Sequence, residues 1–384
     1  MAAAQPSPIL ETARDLRDLR LRKADWDDLA RDALEANVFY ESTWLLPLLR
    51  HFGPVPGLLF LFVYLPGPGG PAGRRLIGLF PFRRAPSRLG GMAPVYRLFN
   101  HLLVYLCTPL VHRDHADLAL DGLLDWIDGA PDGVRLFALY FLGGDGPVGH
   151  ALADRLAARR QPFWVVSSHL RAVFYRADRA EDYLARALPG KKRKELRRQR
   201  RRLEDQGELA LTVATADPDG AWVRAFVDLE GGGWKAGTGK ALANLPAGAA
   251  FLDEAFAELG RQGRVRLFSL CLDGRPVAMK CNLEAADGEG AFAFKIAHDP
   301  AFAAQSPGVL LELENIADLH ARSDAPAWMD SCADPDHPMI DHLWPDRRSI
   351  VYALCASRGM RGRFLIWLLR TAPRLTARRR RHDG

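Results

Sequence analysis

Residues 291–320 read AFAFKIAHDPAFAAQSPGVLLELENIADLH and change abruptly from one pattern to another. The first third alternates like a β-strand, and the last third has apolar residues at helical spacing. Between them, Ser306 is a good helix N-cap, and Pro307 suits the first helical position, where its missing N–H costs nothing. Gly308 would let a ligand approach the backbone closely. The stretch therefore predicts a strand that turns sharply into a helix at Pro307.

The start of this predicted helix has the features of an anion site. The third helical position holds Val309 rather than Glu or Gln, so no capping box closes the entry. We expect the N–H groups of Gly308, Val309 and Leu310 to be available, with the positive end of the helix dipole behind them. An ordinary capped helix start is the alternative interpretation of the same residues.

The segments around this joint predict a mixed α/β (α+β) fold. Asp273-Gly274 and Asp287-Gly288 are hairpin turn signals that separate three strand-like segments ending at the joint. A helix, a strand, a helix over 338–349 and a last strand follow. The N-terminal half repeats this order from the hairpin around PGPGGPAG onwards, with a strand predicted over 102–111. We therefore expect two tandem domains, each with a mostly antiparallel central sheet flanked by helices.

Charge divides the chain further. The formal net charge is +6, yet residues 191–202 carry nine basic residues and one acid, and residues 357–384 carry nine arginines and one aspartate. The predicted organisation is an N-terminal domain (1–180), a single basic linker helix (181–206), a C-terminal domain (207–357) and a basic helix or tail (358–384). Such basic segments suit phosphates, nucleic acid or a lipid surface. A solvated helix face and a disordered tail are the alternatives.

Composition excludes several classes of protein. No apolar run reaches the roughly 18–20 residues of a membrane span, and the N-terminus has no signal-peptide core. The five cysteines form no CxxC pair, and Cys332, His337 and His342 have no recognised zinc spacing. We therefore predict no metal and a cytoplasmic location, with the inner face of the membrane as a peripheral position that the basic tail allows.

Four motifs carry a resemblance to a known family. RKELRRQRRRLE, LEGGGWKAGTG, LDGRPVA and FKIAHDPAFAAQSPGVLL occur in this order within 193–311. Together with the element order, they resemble the GNAT acyltransferase superfamily, and more closely its bacterial branch associated with cellulose biosynthesis. The tandem arrangement with a basic helix is also similar to Fem-type peptidoglycan aminoacyltransferases.

The resemblance implies an acyl-CoA co-substrate, acetyl-CoA or longer, whose pyrophosphate is held by backbone amides at the joint. The thioester would be polarised by a backbone N–H near the end of the preceding strand. The implied donor-binding residues are Ile296, Ala297, Gln305, Ser306, Gly308, Val309 and Leu310. Leu310 departs from the family pattern, which has glycine or alanine there. The equivalent joint of the N-terminal half lacks the glycine and carries Asp114 and Asp117, which predicts a degenerate domain.

Acyl transfer to an amine needs a base and a site for the acceptor. The nearest base candidates are His298 and Asp299, and Asp330 at the end of the next strand could face the site from the other side. Capping the turn that follows is the alternative role for Asp299. The acceptor candidates are Trp234, Lys235, Thr238 and Lys295. The alternative interpretations are that Trp234 packs under its glycine-rich loop and that Lys295 pairs with an acidic helix.

These observations favour an acyl-CoA-dependent N-acyltransferase acting on an amine, with a sugar or a cell-envelope or exopolysaccharide precursor as the expected acceptor. The first alternative is a Fem-like transferase that uses aminoacyl-tRNA, held by the basic segment 191–202. The second is a non-enzymatic scaffold that binds a membrane or nucleic acid through its two basic segments.

Overall fold

A computed structural model of the chain describes residues 7–67, 70–85, 94–232 and 242–371. The helices are α1 (Leu16–Leu21), α2 (Lys23–Arg31), α3 (Ser42–Phe52), α4 (Ala116–Asp128), α5 (Pro147–Ala158), α6 (Ala180–Ala187), α7 (Gly190–Glu204), α8 (Ala221–Gly231), α9 (Gly248–Arg261), α10 (Pro307–Ala321) and α11 (Met360–Thr371). The strands are β1 (Ile9–Ala13), β2 (Leu58–Gly67), β3 (Gly70–Ala85), β4 (Val95–Leu98), β5 (Leu110–Val111), β6 (Leu136–Gly143), β7 (Phe163–Tyr175), β8 (Leu209–Ala214), β9 (Val265–Leu272), β10 (Arg275–Glu284), β11 (Gly290–His298), β12 (Trp328–Asp330) and β13 (Asp346–Ala356).

The chain forms two compact units that interleave along the sequence. The first unit comprises Met1–Ser42, Pro54–Leu170 and Arg348–Gly384, and the second comprises Thr43–Gly53 and Arg171–Arg347. Helix α3 therefore belongs almost entirely to the second unit, and most of β13 belongs to the first. The domain bounds predicted from the sequence stay a proposal.

The first unit is built on a sheet with the strand order β1-β2-β3-β4-β6-β13. Neighbouring strands are antiparallel except for β4 and β6, which are parallel. The nearly continuous apolar run of β2 fits its burial on both faces. Aromatic side chains fill the core beneath β3, where Phe82 stacks on Trp126 with 5.3 Å between ring centroids.

The second unit has a sheet with the order β7-β12-β11-β10-β9-β8, in which β7 contributes its residues from Arg171 onwards. In this order β11 and β12 pair in parallel, and the other neighbouring strands pair antiparallel. The predicted hairpin between β9 and β10 is present, and its turn residues Asp273 and Gly274 both have positive φ. The predicted class, mixed α/β with mostly antiparallel sheets flanked by helices, is confirmed.

Three predicted elements are wrong. The single helix expected over 181–206 is two helices, α6 and α7, because Pro189 forces the preceding Leu188 into extended backbone. The helix expected over 338–349 shrinks to one short turn, Ile340–His342, before β13 starts at Asp346. The strand expected over 102–111 forms only at Leu110–Val111.

Candidate functional site

In the second unit, the pairing between β11 and β12 ends near the middle of β11. Strand β12 pairs in parallel with β11 only from Gly290 to Phe292, and β11 then runs on to His298. Against β10, Lys295 faces Cys281 while Phe292 faces Leu283, so β11 has one extra residue between these pairs. Such a β-bulge bends the strand locally. The bulge therefore lies directly after the last pair with β12, where the two parallel strands part.

The chain after β11 reaches α10 through the short 3₁₀ segment Pro300–Gln305. Helix α10 begins at Pro307, as predicted, but Ser306 does not cap it with its side chain and has left-handed backbone, with φ 51° and ψ 52°. The Ser306 carbonyl instead accepts from the N–H groups of Val309 and Leu310, at 2.9 and 3.1 Å. The expectation that these two amides are available is therefore wrong.

The N–H of Gly308 differs from its neighbours. Gly308 is buried, and its N–H has no hydrogen-bond partner among the described residues. The first N–H groups of a helix have no partner within the helix and are available to another acceptor. Because the Gly308 N–H lies in the first turn of a 15-residue helix, the helix dipole adds positive potential at the same place. Of the three N–H groups that the sequence predicted to be available, the N–H of Gly308 is the one without a partner among the described residues.

His298 closes one side of this first turn. A Cβ built on Gly308 would lie 3.6 Å from His298 Nδ1 and 3.7 Å from Met339 Sδ, which are ordinary contact distances. The φ of Gly308 is not in the left-handed region, so the fold itself does not require glycine there. The missing side chain leaves space beside the His298 imidazole, which is half-buried.

Gln305 precedes the turn, and its side chain carries a polar atom without a hydrogen bond. Its Oε1 is buried and has no hydrogen-bond partner among the described residues.

Basic helix α7 packs against the 3₁₀ segment Pro300–Gln305 and against α10. Arg200 of α7 forms ion pairs with Glu204 and with Glu314 of α10. The opposite side of α7 is exposed and carries Lys191, Lys192, Lys194, Arg197, Arg198, Arg201 and Arg202.

The two aspartates proposed as bases are both held in ion pairs. Asp299 accepts the N–H of Ala301 at 2.9 Å, which caps the 3₁₀ segment, and pairs with Arg275 at 2.8 Å. Asp330 is fully buried, lies 3.4 Å from the guanidinium of Arg171, and accepts the N–H of Cys332 at 2.7 Å. Of the three candidates, His298 alone adjoins the first turn of α10 in the contacts described.

Lys295 forms an ion pair with a helix, which was the alternative to a contact with the acceptor. Its ammonium is buried and lies 2.9 Å from Glu230 Oε1 of α8. The second oxygen of Glu230 accepts the N–H of Leu242 at 2.7 Å. The remaining predicted acceptor residues, Trp234, Lys235 and Thr238, lie outside the described residues.

The backbone of β11 has a defined orientation near its end. The N–H of Asp299 donates to Val277 O at 2.9 Å, on the β10 side. Because N–H directions alternate along a strand, Ala297 also points its N–H toward β10, whereas Ile296 and His298 point theirs to the opposite side. That opposite side is the one from which β12 has departed.

A buried polar cluster beneath α10 was not predicted. Lys280 Nζ lies 2.8 Å from Glu312 Oε2, an ion pair without hydrogen-bond geometry. Glu312 Oε1 accepts from Asn315 and Trp344 at 2.8 and 3.1 Å, and Asn315 accepts from Asn282 at 2.7 Å. The available signal was the presence of charged residues at the apolar positions of β10 and α10.

The described residues do not favour a reactive thiol at Cys281 or a metal site. Burial raises the pKa of Cys281 to about 12, so this thiol stays protonated at neutral pH. The described part of the chain contains no group of three His, Cys, Asp or Glu side chains that could hold a metal ion. None of the described helices is both long enough and apolar enough to cross a membrane.

Comparison with protein families finds a match in the part of the chain around this site. Residues 190–336 match the family model described as Acetyltransferase (GNAT) domain. This stretch contains α7 to α10 and β8 to β12, so the resemblance of this part of the chain to the GNAT superfamily is confirmed. No curated protein matches the chain.

Solved structures show where else this fold occurs. FemX matches with a TM-score of 0.56 at 11% identity, covering 94% of this chain and 99% of FemX. The C-terminal domain (DUF2156) of a putative lysylphosphatidylglycerol synthetase from Agrobacterium fabrum matches with 0.53 at 12% identity, over 92% and 96%. A conserved protein of unknown function from Bacteroides thetaiotaomicron VPI-5482 matches with 0.53 at 13%, over 91% and 100%. At these identities the likeness concerns the fold, over nearly the whole length of both chains.

Proposed function

We propose that the chain is an acyl-CoA-dependent N-acyltransferase and that its donor binds at the start of α10. The observation that carries the proposal is the N–H of Gly308, a buried residue, which has no partner among the described residues. A phosphate oxygen is the natural acceptor for such a donor at a helix N-terminus. The match of residues 190–336 to the GNAT domain supports a diphosphate-containing acyl donor.

The thioester would then lie along the side of β11 that faces away from β10. The bulge and the end of pairing with β12 at Phe292 open this side of the strand. The N–H groups of Ile296 and His298 point in this direction, which supports either as a donor to the thioester carbonyl. Ala297 points its N–H toward β10 and is the weaker candidate of the three.

His298 is the proposed general base. The amine nitrogen attacks the thioester carbon, the C–N bond forms and the C–S bond breaks. His298 takes the proton that the amine loses, and the thiolate of coenzyme A leaves and is protonated. The ion pairs of Asp299 and Asp330 with Arg275 and Arg171 favour structural roles for both carboxylates.

The acceptor remains the one that the sequence resemblance implies. We propose an amine on a sugar or on a cell-envelope or exopolysaccharide precursor, with Trp234, Lys235 and Thr238 as its contacts. The branch associated with cellulose biosynthesis, the cytoplasmic location and the degenerate N-terminal domain belong to the same proposal.

A panel of acyl-CoA thioesters tests the donor, and an amine panel tests the transfer. We expect thermal stabilisation by at least one thioester and formation of an amide product detected by mass spectrometry. His298→Gln should lower the turnover rate by about a hundredfold or more while keeping donor affinity. His150→Gln, at an exposed position of α5, is the matched control. Absence of binding by every thioester would refute the proposal.

The exposed basic face of α7 favours a second candidate, a transferase that uses aminoacyl-tRNA. The seven cations on this face would contact phosphates, which makes affinity strongly salt-dependent. We would then expect tRNA to bind the full chain with a steep loss between 50 and 200 mM salt. Arg197→Gln/Arg201→Gln should reduce both the affinity and the salt slope. Retention of an acyl-CoA without tRNA binding would exclude this candidate.

A further inference from the structure

Helix α11 of the first unit carries apolar side chains on a buried face and on an exposed stripe. One face, formed by Gly362, Ile366 and Leu369, is buried. Ile366 and Leu369 belong to a hydrophobic cluster with side chains of β6 and β13. This face docks α11 on its own sheet, and the exposed residues Met360, Phe364 and Trp367 lie outside it.

The second face is an exposed apolar stripe formed by Met360, Phe364 and Trp367. The spacing of i, i+4 and i+7 puts the three side chains on one line along the helix. They are 88%, 57% and 58% exposed, respectively. The rings of Phe364 and Trp367 stack on each other, with 5.8 Å between centroids and 28° between planes. Exposed large apolar groups in one line mark an interaction surface rather than ordinary scatter.

Cations line both sides of this stripe. On a helical wheel, Arg361 lies on one side, and Arg363 and Arg370 lie on the other. All three are exposed, and α11 contains no acidic residue. The sequence that follows, residues 372–384, adds five arginines and one aspartate. The surface therefore combines an apolar centre with a positively charged border.

The start of α11 is held firmly, so the stripe is presented in a fixed direction. Asp128 of α4 accepts the N–H of Arg358 at 2.7 Å and pairs with its guanidinium at 2.6 Å. A Cβ on Gly362 would lie only 1.8 Å from Ser357 O, so the first turn packs closely against the preceding chain. The stripe cannot turn inward without breaking these contacts.

We propose that α11 lies on an anionic phospholipid surface, with Met360, Phe364 and Trp367 inserted at headgroup level. Aromatic side chains favour that depth, and the bordering arginines would contact lipid phosphates. Nucleic acid would use the arginines but leave the apolar stripe in water. A second copy of the same face would bring like arginines together, which disfavours self-association. An anionic lipid surface would contact both the apolar stripe and the arginines that border it.

Vesicle sedimentation with the full chain tests this proposal. We expect binding to vesicles of phosphatidylglycerol and phosphatidylcholine, and little binding to pure phosphatidylcholine. Phe364→Ser/Trp367→Ser should weaken binding about tenfold or more. Arg361→Gln/Arg363→Gln should weaken it roughly fivefold per arginine at low salt. Leu21→Ser/Leu102→Ser, at positions 77% and 57% exposed elsewhere in the first unit, is the matched control and should bind like the unmodified chain.

Three results would overturn the proposal. The first is failure of the unmodified chain to bind anionic vesicles. The second is binding that Phe364→Ser/Trp367→Ser leaves unchanged, because residues after the helix would then suffice. The third is a concentration-dependent dimer that this double variant abolishes, without vesicle binding, which would assign the stripe to a second copy of the chain. Unchanged circular dichroism and thermal unfolding of the double variant confirm that it is folded.

Discussion

Replacing Gly308 by alanine separates the role of this residue in the fold from its proposed role in binding. The new Cβ would lie 3.6 Å from His298 Nδ1 and 3.7 Å from Met339 Sδ, so it fits without displacing either side chain. The backbone conformation also accepts alanine, because φ is not in the left-handed region. Gly308→Ala should therefore fold normally, which makes any change in binding informative.

The two expected effects have opposite signs. Alanine gains up to about 1 kcal/mol over glycine within a helix, and less in its first turn. The free energy of unfolding should thus stay equal or rise slightly. If the methyl group holds a phosphate oxygen away from the Gly308 N–H, the complex loses a charge-assisted hydrogen bond of about 1.5–3 kcal/mol. This corresponds to roughly a tenfold to hundredfold higher Kd for the acyl donor.

Isothermal titration with acetyl-CoA and longer thioesters measures the Kd, and chemical denaturation without ligand measures stability. Gly190→Ala is the matched control, because Gly190 is the first residue of α7 and a Cβ there meets only Arg193, at 4.0 Å. It should bring the same small gain in stability and leave the Kd unchanged. An unchanged Kd in Gly308→Ala would refute the phosphate-binding role of this amide. A large loss of stability would refute the packing described around Gly308.

Three further predictions concern other parts of the chain. Lys295→Met should cost about 3–5 kcal/mol by leaving Glu230 buried and unpaired. In denaturant unfolding, the double variant Lys295→Met/Glu230→Gln should be more stable than Lys295→Met alone, and equal stability would contradict the ion pair. For Asp128, burial alone would raise the pKa, but the backbone N–H of Arg358 and the Gln161 side chain lower it below the usual 3.8. Its stabilising contribution is therefore present above pH 3.8 and lost below it. Asp128→Asn should lower the melting temperature at pH 6 and converge with the unmodified chain as the pH falls below 3.8; a constant difference would contradict this. His320→Gln should leave acyl transfer unchanged, because His320 Nδ1 is already bonded to Ile316 O at 2.7 Å, and a loss in the amine-transfer assay would contradict this.

Local signals were predictable from the sequence where a few neighbouring residues decide the backbone. The turn at Asp273-Gly274 needs positive φ at both positions, and this dipeptide supplies it cheaply. Pro307 likewise starts a helix wherever the following residues can continue it. Both features appear in the structure at the predicted residues because no distant contact is needed to explain them.

Distant partners were not predictable in the same way. Strand alternation indicated that Lys295 stands apart from its apolar neighbours, but its direction alone does not identify a partner. Glu230, 65 positions earlier, supplies the counter-charge. The interleaving of the units has the same origin: an amphipathic helix such as α3 shows which face is buried, not which sheet buries it.

The β-bulge in β11 shows most clearly which structural features cannot be predicted from one segment of the sequence alone. The stretch GAFAFKIAH alternates almost regularly, and nothing in it marks the extra residue between Phe292 and Lys295. A bulge is a mismatch in count between two strands, so it exists only relative to β10. The pairing of β11 with β12 ends at the same place, at Phe292. The sequence could identify the joint at Pro307, whereas the bulge and the end of this pairing follow from the registers of three strands.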